Sequence, residues 1–367
     1  MSKIDLFEFE NKLIRKEVKS VLIAYLTLDT FSNNEELDTD LIEQIYKSWR
    51  GCLSVVPFDA INAESEMCLR QPQISALFAI LAHCTNHKSG DATVVMPTGT
   101  GKTETMLASI CSLPVRRALV IVPTISLRQQ TFKKFLCLGR LRELKAINKN
   151  TLNPITALLN GGISTQEELD LALKANVIVT TPQSLNKADE QLRTKLFKEC
   201  SHLFVDEVHH IRANTWELIK KKFINKPVIQ FTATPFREDR KKIEGLFIYN
   251  YPISVAQEQG FFRPINFKAI YEIHEEKADR KIAEEAVSRL RQDLSSGFNH
   301  ILMARCNTKK KADKVFKIYQ ENYDALNPIL IHSSVPQRDK KLQAIIAKNI
   351  KLLFVSICLV RDLICPN

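Results

Sequence analysis

Between Ala92 and Ile253, short apolar runs alternate with helix-like stretches, and this alternation constrains the fold more than any other feature of the chain. The runs read ATVVM, ALVIVP, ANVIVTT, HLFVDE and PVIQFTAT, with segments such as TETMLASICSL and SLRQQTFKKFL between them. Continuous apolar strands that alternate with helices are typical of a parallel sheet covered on both faces. The pattern therefore predicts an α/β fold built on a doubly wound parallel sheet.

Two further regions flank this core. Residues 4–56 carry apolar residues at three- and four-residue spacing in LFEFENKLIRKEVKSVLIAYL and again in LIEQIYKSW, which predicts helices. Beyond YPISVAQEQGFFRPINF, a second α/β series contains AEEAVSRLRQDL, HILMARC, KKKADKVFKIYQENY, PILIHSS and KLLFV. We expect a small helical N-terminal region at 1–66, a first α/β domain at 67–253 and an incomplete second one at 254–367.

The composition of the chain is that of a globular protein without a membrane span. Hydrophobic residues make up 45% of the chain and charged residues 25%, as in ordinary globular proteins. No apolar run reaches the ~18 residues of a membrane span, the start has no signal-peptide pattern, and the nine cysteines include no C-x-x-C pair. We expect a cytoplasmic protein with reduced thiols and no membrane partner. The net charge of +11 fits a polyanionic partner or a generic solubility charge equally well.

The segment VVMPTGTGKTE lies where a predicted strand ends and a helix begins, which is the context of a phosphate-binding loop. Gly99 and Gly101 allow a tight turn whose N–H groups, with the helix N-terminus, face phosphate oxygens. Lys102 can reach the outer phosphates, and the Thr103 hydroxyl can bind Mg²⁺. Met96 replaces the first glycine of the strict pattern. The expected nucleotide contacts here are Pro97, Thr98, Gly99, Thr100, Gly101, Lys102, Thr103 and Glu104.

The segment HLFVDEVHH predicts the catalytic half of the same site. Four apolar residues bring Asp206 and Glu207 to the carboxyl end of a strand, where open α/β sheets bind ligands. We expect Asp206 to hold Mg²⁺ and Glu207 to orient and deprotonate the attacking water. His209 and His210 lack a Cys or His partner at zinc spacing, so a polar coupling role is favoured for His209.

With MPTGTGKT and DEVH in this order, the chain resembles superfamily-two helicases of the DEAD/DEAH type. The resemblance covers about 69–355 and implies a pair of RecA-like domains, ATP and Mg²⁺ as cofactors, and a nucleic-acid partner. LRQPQ is similar to the family's adenine-recognition motif, which implies that Gln73 reads the base and that Arg70 lies near it. FTATPFRED resembles the motif in which Thr232 and Thr234 would couple hydrolysis to nucleic-acid binding.

Three other segments imply the path of the nucleic acid. VPTISLRQQ and TTPQSL resemble two backbone-contacting motifs, and MARCNTKKKADKV resembles the region that opens the second RecA-like domain. Contacts that hold phosphates need not read sequence. The residues implied are Pro123, Thr124, Thr181, Pro182 and Arg305.

The form TATPFR is similar to DNA translocases and restriction-type motor subunits, which by analogy favours DNA over RNA as the partner. An RNA helicase remains an alternative, and so does an inert nucleotide-binding scaffold. A defence or repair complex would supply protein partners, but these residues contain no nuclease constellation and identify no partner.

The last residues, Ile357–Asn367, do not resemble the motif that follows KLLFV in the family. One permitted set of codons for them, read two bases out of frame, encodes LFGEGFDLPK, which does resemble it. We therefore expect a frameshift near Ser356–Cys358 that truncates a longer helicase, the alternative being a genuine short product. Without the family's arginine finger we expect ATP binding, weak or absent hydrolysis, no processive unwinding and an aggregation-prone sheet edge.

Overall fold

The computed structural model describes residues 12–28, 37, 39–55, 68–85, 90–210, 213–236, 243–262, 266–332 and 352–356. The chain divides into two compact units, Met1–Pro264 and Ile265–Asn367. Among the described residues, the first unit contains a nine-stranded sheet and the second a three-stranded sheet. Both sheets are dominated by parallel pairs with helices between their strands, so the predicted RecA-like α/β class is confirmed.

The strands of the first unit are β1 Leu13–Val18, β2 Val21–Leu26, β3 Ala92–Val95, β4 Ala118–Ile121, β5 Thr156–Leu159, β6 Val177–Thr180, β7 His202–Val205, β8 Val228–Thr232 and β9 Leu246–Asn250. Their order across the sheet is β1-β2-β5-β6-β4-β7-β8-β3-β9. The five predicted runs form β3, β4, β6, β7 and β8. All five are fully buried because helices cover both faces of the sheet.

The helices of the first unit are α1 Thr39–Trp49, α2 Gln71–Thr85, α3 Lys102–Ser112, α4 Ile125–Leu136, α5 Gln166–Ala172, α6 Pro182–Lys187, α7 Glu190–Glu199, α8 Ala213–Lys220 and α9 Ile253–Glu258. Three of them, α3, α4 and α6, are the next elements along the chain after β3, β4 and β6. Their N-termini therefore share the carboxyl edge of the sheet with the residues that follow β7 and β8. Ligands of open parallel sheets bind at this edge.

The helix predicted for the first part of the chain is wrong where the structure describes it. Residues 13–26 form an antiparallel hairpin, β1 and β2, with a turn at Lys19 and Ser20. The run VLIAYL is buried on both faces: Leu22 and Ala24 pack with Phe132 and Leu136 of α4, and Val21, Ile23 and Tyr25 lie in the main core. A fully buried strand lacks the alternation that marks strands in a sequence. The second predicted helix, which contains LIEQIYKSW, is confirmed as α1.

Beyond the hairpin, two further strands of the large sheet were not predicted. Strand β5 reads TALL, in which Ala and Leu are better helix formers than strand formers, and it follows the polar stretch that ends in Asn153 and Pro154. Strand β9 is half exposed and lies at the edge next to β3, with a register shift between Thr93 and Val94. Neither the composition of β5 nor the half-exposed surface of β9 gives a clear strand signal, so neither strand could be separated from a loop.

The second unit contains helices α10 Glu275–Ser295 and α11 Lys309–Tyr323 and strands β10 Leu302–Cys306, β11 Ile329–Ile331 and β12 Leu352–Ser356. The strand order is β10-β12-β11, and both pairs are parallel. The predicted second α/β series is therefore present. Its tail, 357–367, lies outside the described residues. In the described part of the chain, no helix combines the length and apolar character that crossing a membrane requires.

Candidate functional site

The loop between β3 and α3 has the backbone shape of an anion cradle. Gly99 and Gly101 have φ angles of 89° and 93°, in the left-handed region that glycine adopts without strain. Thr100 closes the turn, since both its N–H and its hydroxyl donate to the carbonyl of Pro97, at 3.3 and 2.7 Å. Thr98 and Gly99 are exposed at the tip. The loop therefore offers N–H groups to a ligand at the start of α3.

Lys102 and Glu207 form a nearly buried ion pair across the carboxyl edge of the sheet. Their charged atoms are 3.0 Å apart, and the Lys102 ammonium also donates to the carbonyl of Met96 at 3.3 Å. Glu207 has a φ of 47°, a conformation that costs a non-glycine residue roughly 1–2 kcal/mol. This strained turn after β7 brings its carboxylate to the first residue of α3. The two side chains that the sequence placed on separate motifs are thus in direct contact.

Asp206 lies beside this pair and is 9% exposed. Burial raises the pKa of its carboxyl to about 6; the neighbouring Glu207 charge adds to the rise, and Lys102 opposes it. One carboxylate oxygen also accepts from the N–H of Glu207 at 3.0 Å. An acid held in this way gains stability from a nearby cation, whether an ammonium or a metal ion.

His209 links the ion pair to the end of β8. Its Nδ1 is 2.8 Å from the hydroxyl of Thr232 and 3.4 Å from a carboxylate oxygen of Glu207. The Thr232 hydroxyl donates to the carbonyl of Thr234 at 2.7 Å, so the imidazole must donate to Thr232 through Nδ1–H. The same oxygen of Glu207 also accepts from the N–H of Ala233 at 3.3 Å. A continuous polar chain therefore runs from the phosphate loop to the residues after β8.

Gln73 and Arg70 border the phosphate loop but occupy different environments. Gln73 is 4% exposed; its carbonyl accepts from the N–H of Arg70 at 2.7 Å, and its amide donates to the carbonyl of Gly101 at 3.3 Å. A Cβ atom at Gly101 would lie 2.0 Å from that amide, so only glycine fits. Arg70 is exposed and donates to the carbonyl of Gly99 at 3.2 Å. Gln73 thus supports the loop from inside, and Arg70 borders it from outside.

The donors at this edge fit a nucleoside triphosphate with Mg²⁺. Mg²⁺ is commonly held by one or two carboxylates together with substrate phosphates rather than by a cage of protein ligands. Asp206 and the half-buried Thr103 supply such a partial set. Among the described residues, no group of three His, Cys, Asp or Glu is arranged to hold a metal ion by itself. Glu104 differs from its neighbours, since its carboxylate points to Lys134 of α4, 3.4 Å away.

The residues expected on the nucleic-acid path lie on the other half of the same edge. Thr124 caps α4, its hydroxyl accepting from the N–H of Leu127 at 3.2 Å. Thr181 caps α6 in the same way through the N–H of Ser184, also at 3.2 Å. Pro123, Thr181 and Pro182 are buried, and Thr124 is half-buried. These side chains shape two adjacent helix N-termini, and backbone N–H groups are what the edge can offer to a phosphate.

Arg128 is a charged residue at this edge that sequence reasoning missed. It is 3% exposed, and its guanidinium donates to the carbonyl of Leu159 at 2.7 Å, to Asn160 at 3.1 Å and to Ser184 at 3.2 Å. The Nε atom is buried without a hydrogen-bond partner, and burial lowers the pKa of the side chain. No carboxylate of the described residues forms an ion pair with it. The nearby segment ALLNGG contains no signal that would have identified this contact.

Arg305, the remaining expected contact, is an exposed residue of β10 in the second unit. It borders a cavity of about 440 Å³ between α10, β10 and α11. In this cavity Lys311 forms ion pairs with Glu275 at 2.6 Å and Asp279 at 2.5 Å. Arg305 therefore belongs to the second unit, whereas the cluster described above belongs to the first.

Comparison with known proteins gives this geometry a family context. Residues 66–237 match the family described as type III restriction enzyme, res subunit. The chain is 27% identical over 241 residues to the DNA 3'-5' translocase XPB2 of Sulfurisphaera tokodaii, an alignment that covers 66% of this chain. The chain spans 44% of the length of that relative.

Two solved structures share the fold. The DEAD-box helicase Mss116 bound to single-stranded RNA and UDP-BeF has a TM-score of 0.52 at 15% identity, covering 87% of this chain and 69% of that one. Mss116p bound to single-stranded RNA and AMP-PNP has a TM-score of 0.52 at 17% identity, covering 92% and 69%. At these identities the likeness concerns the fold alone.

Proposed function

We propose that the chain is an ATP-dependent DNA helicase or translocase of the superfamily-two type, because residues 66–237 match the res subunit family and the chain is similar to a DNA 3'-5' translocase. In this proposal it couples ATP hydrolysis to movement on nucleic acid. The observation that carries the proposal is the connected set of side chains at one sheet edge. The set comprises Lys102, Glu207, His209 and Thr232. The polar atoms that join each of these side chains to the next are 2.8 to 3.4 Å apart.

The side chains of this set divide the work of hydrolysis. Lys102 leaves Glu207 to meet the outer phosphates, which frees a carboxylate to orient and deprotonate a water molecule. Asp206 and Thr103 would hold Mg²⁺, which when bound neutralises charge on the phosphates. The backbone N–H groups of the loop and the start of α3 bind the inner phosphates without reorganisation.

The link through His209 supports coupling. When Glu207 changes partner, the imidazole that contacts both Glu207 and Thr232 must adjust, and Thr232 is bonded to Thr234 at the exposed end of β8. Two bonding states of this chain would let the nucleotide bias the surface beyond β8. Thr232 and Thr234 act here as coupling residues.

The adjacent half of the edge is the proposed nucleic-acid surface. The N-termini of α4 and α6 and the buried charge of Arg128 together make it attractive to phosphates. DNA is favoured because the relative with the matching sequence is named a DNA 3'-5' translocase. RNA is the alternative partner.

The experiment is to measure ATP binding and ATP hydrolysis without nucleic acid and with duplex DNA, single-stranded DNA or RNA. We expect ATP binding and weak hydrolysis, which DNA stimulates more than RNA does. Glu207→Gln should keep ATP affinity within a few-fold and lower hydrolysis by about 100-fold or more, since a general base contributes on the order of 10²–10⁴. Hydrolysis that is unaffected by Glu207→Gln contradicts the assigned base. ATP binding without hydrolysis in every condition favours an inert nucleotide-binding scaffold instead.

A further inference from the structure

Two phenylalanines at the C-terminal end of the first unit border the phosphate loop. Phe262 lies against the bare face of Gly99, its ring 3.5 Å from the point that a Cβ atom there would occupy. Phe261 lies under Arg70, with the guanidinium carbon 5.1 Å from the ring centroid. Both rings are only half-buried, and Gly99 and Arg70 are exposed. Flat apolar surface and a planar cation therefore meet at the mouth of the loop.

The backbone holds this pair in place. The N–H of Phe261 donates to the carbonyl of Ala256 at 2.9 Å, and Gly260 has a φ of 76°, so the chain turns back after α9. The hydroxyl of Tyr251 donates to Gln259 at 2.7 Å, and its ring packs edge-on against Phe261 at 6.4 Å. Aromatic side chains fixed in this way lose little entropy when a ligand binds.

Gln73 does not contribute to this surface. The oxygen of its amide accepts from the N–H of Arg70, the nitrogen donates to the carbonyl of Gly101, and the side chain is nearly inaccessible. A nucleotide with its phosphates in the loop needs other groups to meet its base. Nucleobases stack on aromatic rings and on guanidinium planes, and each such contact is worth on the order of tenfold or more in affinity.

We propose that Phe262, with Phe261 and Arg70, forms the platform on which the nucleobase of the bound nucleotide stacks. This inference rests on the proposed ATP-dependent function, and it names the groups that distinguish a nucleotide from a bare triphosphate. Arg70 has two tasks in it: one guanidinium nitrogen holds the carbonyl of Gly99, and its plane, resting on Phe261, extends the stacking surface. Phe262 is a binding residue that acts on affinity rather than on the chemical step.

The test compares ATP and inorganic tripolyphosphate as ligands of the full chain, each with Mg²⁺. For Phe262→Ala we expect the affinity for ATP to fall by about tenfold and that for tripolyphosphate to change less than twofold, because only the base stacks. Phe262→Leu keeps apolar volume against Gly99 and should lose ATP affinity to a similar extent. Phe78→Ala removes an exposed phenylalanine of α2 that is 54% exposed, and it should change neither affinity.

Two results would overturn the platform while leaving the proposed function intact. One is an equal loss for ATP and tripolyphosphate in Phe262→Leu, which would mean that the ring only shapes the loop. The other is unchanged ATP affinity in both folded variants, checked by thermal melting. If the wild-type chain binds neither ligand, the proposed function fails and the platform fails with it.

Discussion

The two halves of the carboxyl sheet edge treat buried charge in opposite ways. Around β3, β7 and β8, the Lys102 ammonium is neutralised by Glu207 at 3.0 Å, and Asp206 lies next to both. Around β4, β5 and β6, the Arg128 guanidinium is buried among carbonyl, amide and hydroxyl oxygens, with no ion-pair partner in the described part of the chain. We call the half around β3, β7 and β8 the balanced half, because its lysine is paired with a carboxylate. The half around β4, β5 and β6 is the unbalanced half, because its arginine is not.

This difference indicates which kind of ligand each half is suited to bind. A buried charge without a counterion costs several kcal/mol unless polar contacts or a ligand compensate for it. The balanced half can exchange partners when phosphates arrive, since Lys102 already has an anion to release. The unbalanced half keeps a fixed positive potential beside two helix N-termini, as a surface for backbone phosphates would.

The largest effect is expected from breaking the balanced half. Lys102→Ala removes the cation that meets the phosphates and leaves Glu207 without its ion-pair partner, so we expect ATP affinity to fall by about 100-fold or more, as for a lost charge-assisted contact of roughly 3 kcal/mol. Titration of the purified chain with a fluorescent ATP analogue measures it. Lys134→Ala, which removes a lysine that pairs with Glu104 at 3.4 Å, is the control and should change ATP affinity less than threefold.

Equal losses in these two lysine variants would contradict the comparison. They would show that general positive charge, rather than the one ammonium at the loop, binds the nucleotide.

The buried carboxylate of Glu168, which lies outside these two halves, shows a third way of holding a buried charge. Glu168 is 1% exposed and accepts from Ser20, Ser164 and Thr165 at 2.6 to 3.3 Å, which ties the β1–β2 turn to α5. Burial alone would raise the pKa of this carboxyl, but the hydrogen bonds, led by Ser20, outweigh it and lower the pKa to about 2. Hydrogen bonds can thus replace a counterion when enough of them converge on the charge.

The pH dependence of the stability of Glu168→Gln tests whether hydrogen bonds replace a counterion here. Because the folded-state pKa is depressed from 4.5 to about 2, the stabilisation is complete above pH 4.5 and is lost as the pH falls towards 2. We expect the variant to be less stable by about 3 kcal/mol at pH 7, and this gap to shrink below pH 4.5. Denaturant unfolding at several pH values measures the gap, and the exposed neighbour Glu167→Gln should show none. A gap that grows on acidification would be inconsistent with this account.

The sequence predicted most of this edge because its strands and its loop follow strong local rules. The runs before Met96, Asp206 and Ala233 are mainly apolar, and polar residues follow each of them within three positions, so their places at the edge followed from sheet topology. The hairpin at 13–26 was mistaken for a helix because a strand buried on both faces has no alternation. Packing against the rest of the sheet, rather than local sequence preference, therefore determines that this segment is a hairpin.

The polar contacts of the site were less predictable than its elements. The expectation that Gln73 reads a base stays a prediction. What the sequence did not indicate is that its side chain bonds to the backbone around the loop, where the absence of a side chain at Gly101 leaves room for it. Arg128 occupies a helical position at which arginine usually faces solvent. Its burial depends on β5 and α6, which lie 31 and 56 residues further along the chain. Long-range contacts of this kind leave no local trace in a sequence.

A smaller effect is expected from Asp206→Asn. Burial raises the pKa of this acid to about 6, so the ionised form at neutral pH destabilises the folded chain in the absence of ligand. The amide should raise the free energy of unfolding by about 2 kcal/mol at pH 7, seen as a melting temperature a few degrees higher. The exposed residue Asp170, changed to Asn, is the control and should shift the melting temperature by less than a degree. A less stable Asp206→Asn chain would argue that Lys102 already compensates for the acid fully.

The central claim, that the unbalanced half of the edge binds nucleic-acid phosphates, is tested most directly by the salt dependence of single-stranded DNA binding. Arg142 provides a matched control, since its half-buried guanidinium also bonds to carbonyls and to an asparagine, Asn153 at 3.0 Å, but at the amino end of β5. We predict that Arg128→Gln weakens DNA binding by about tenfold and flattens the plot of log affinity against log salt by about one unit, whereas Arg142→Gln leaves both unchanged. Identical salt plots for wild type, Arg128→Gln and Arg142→Gln would contradict the claim.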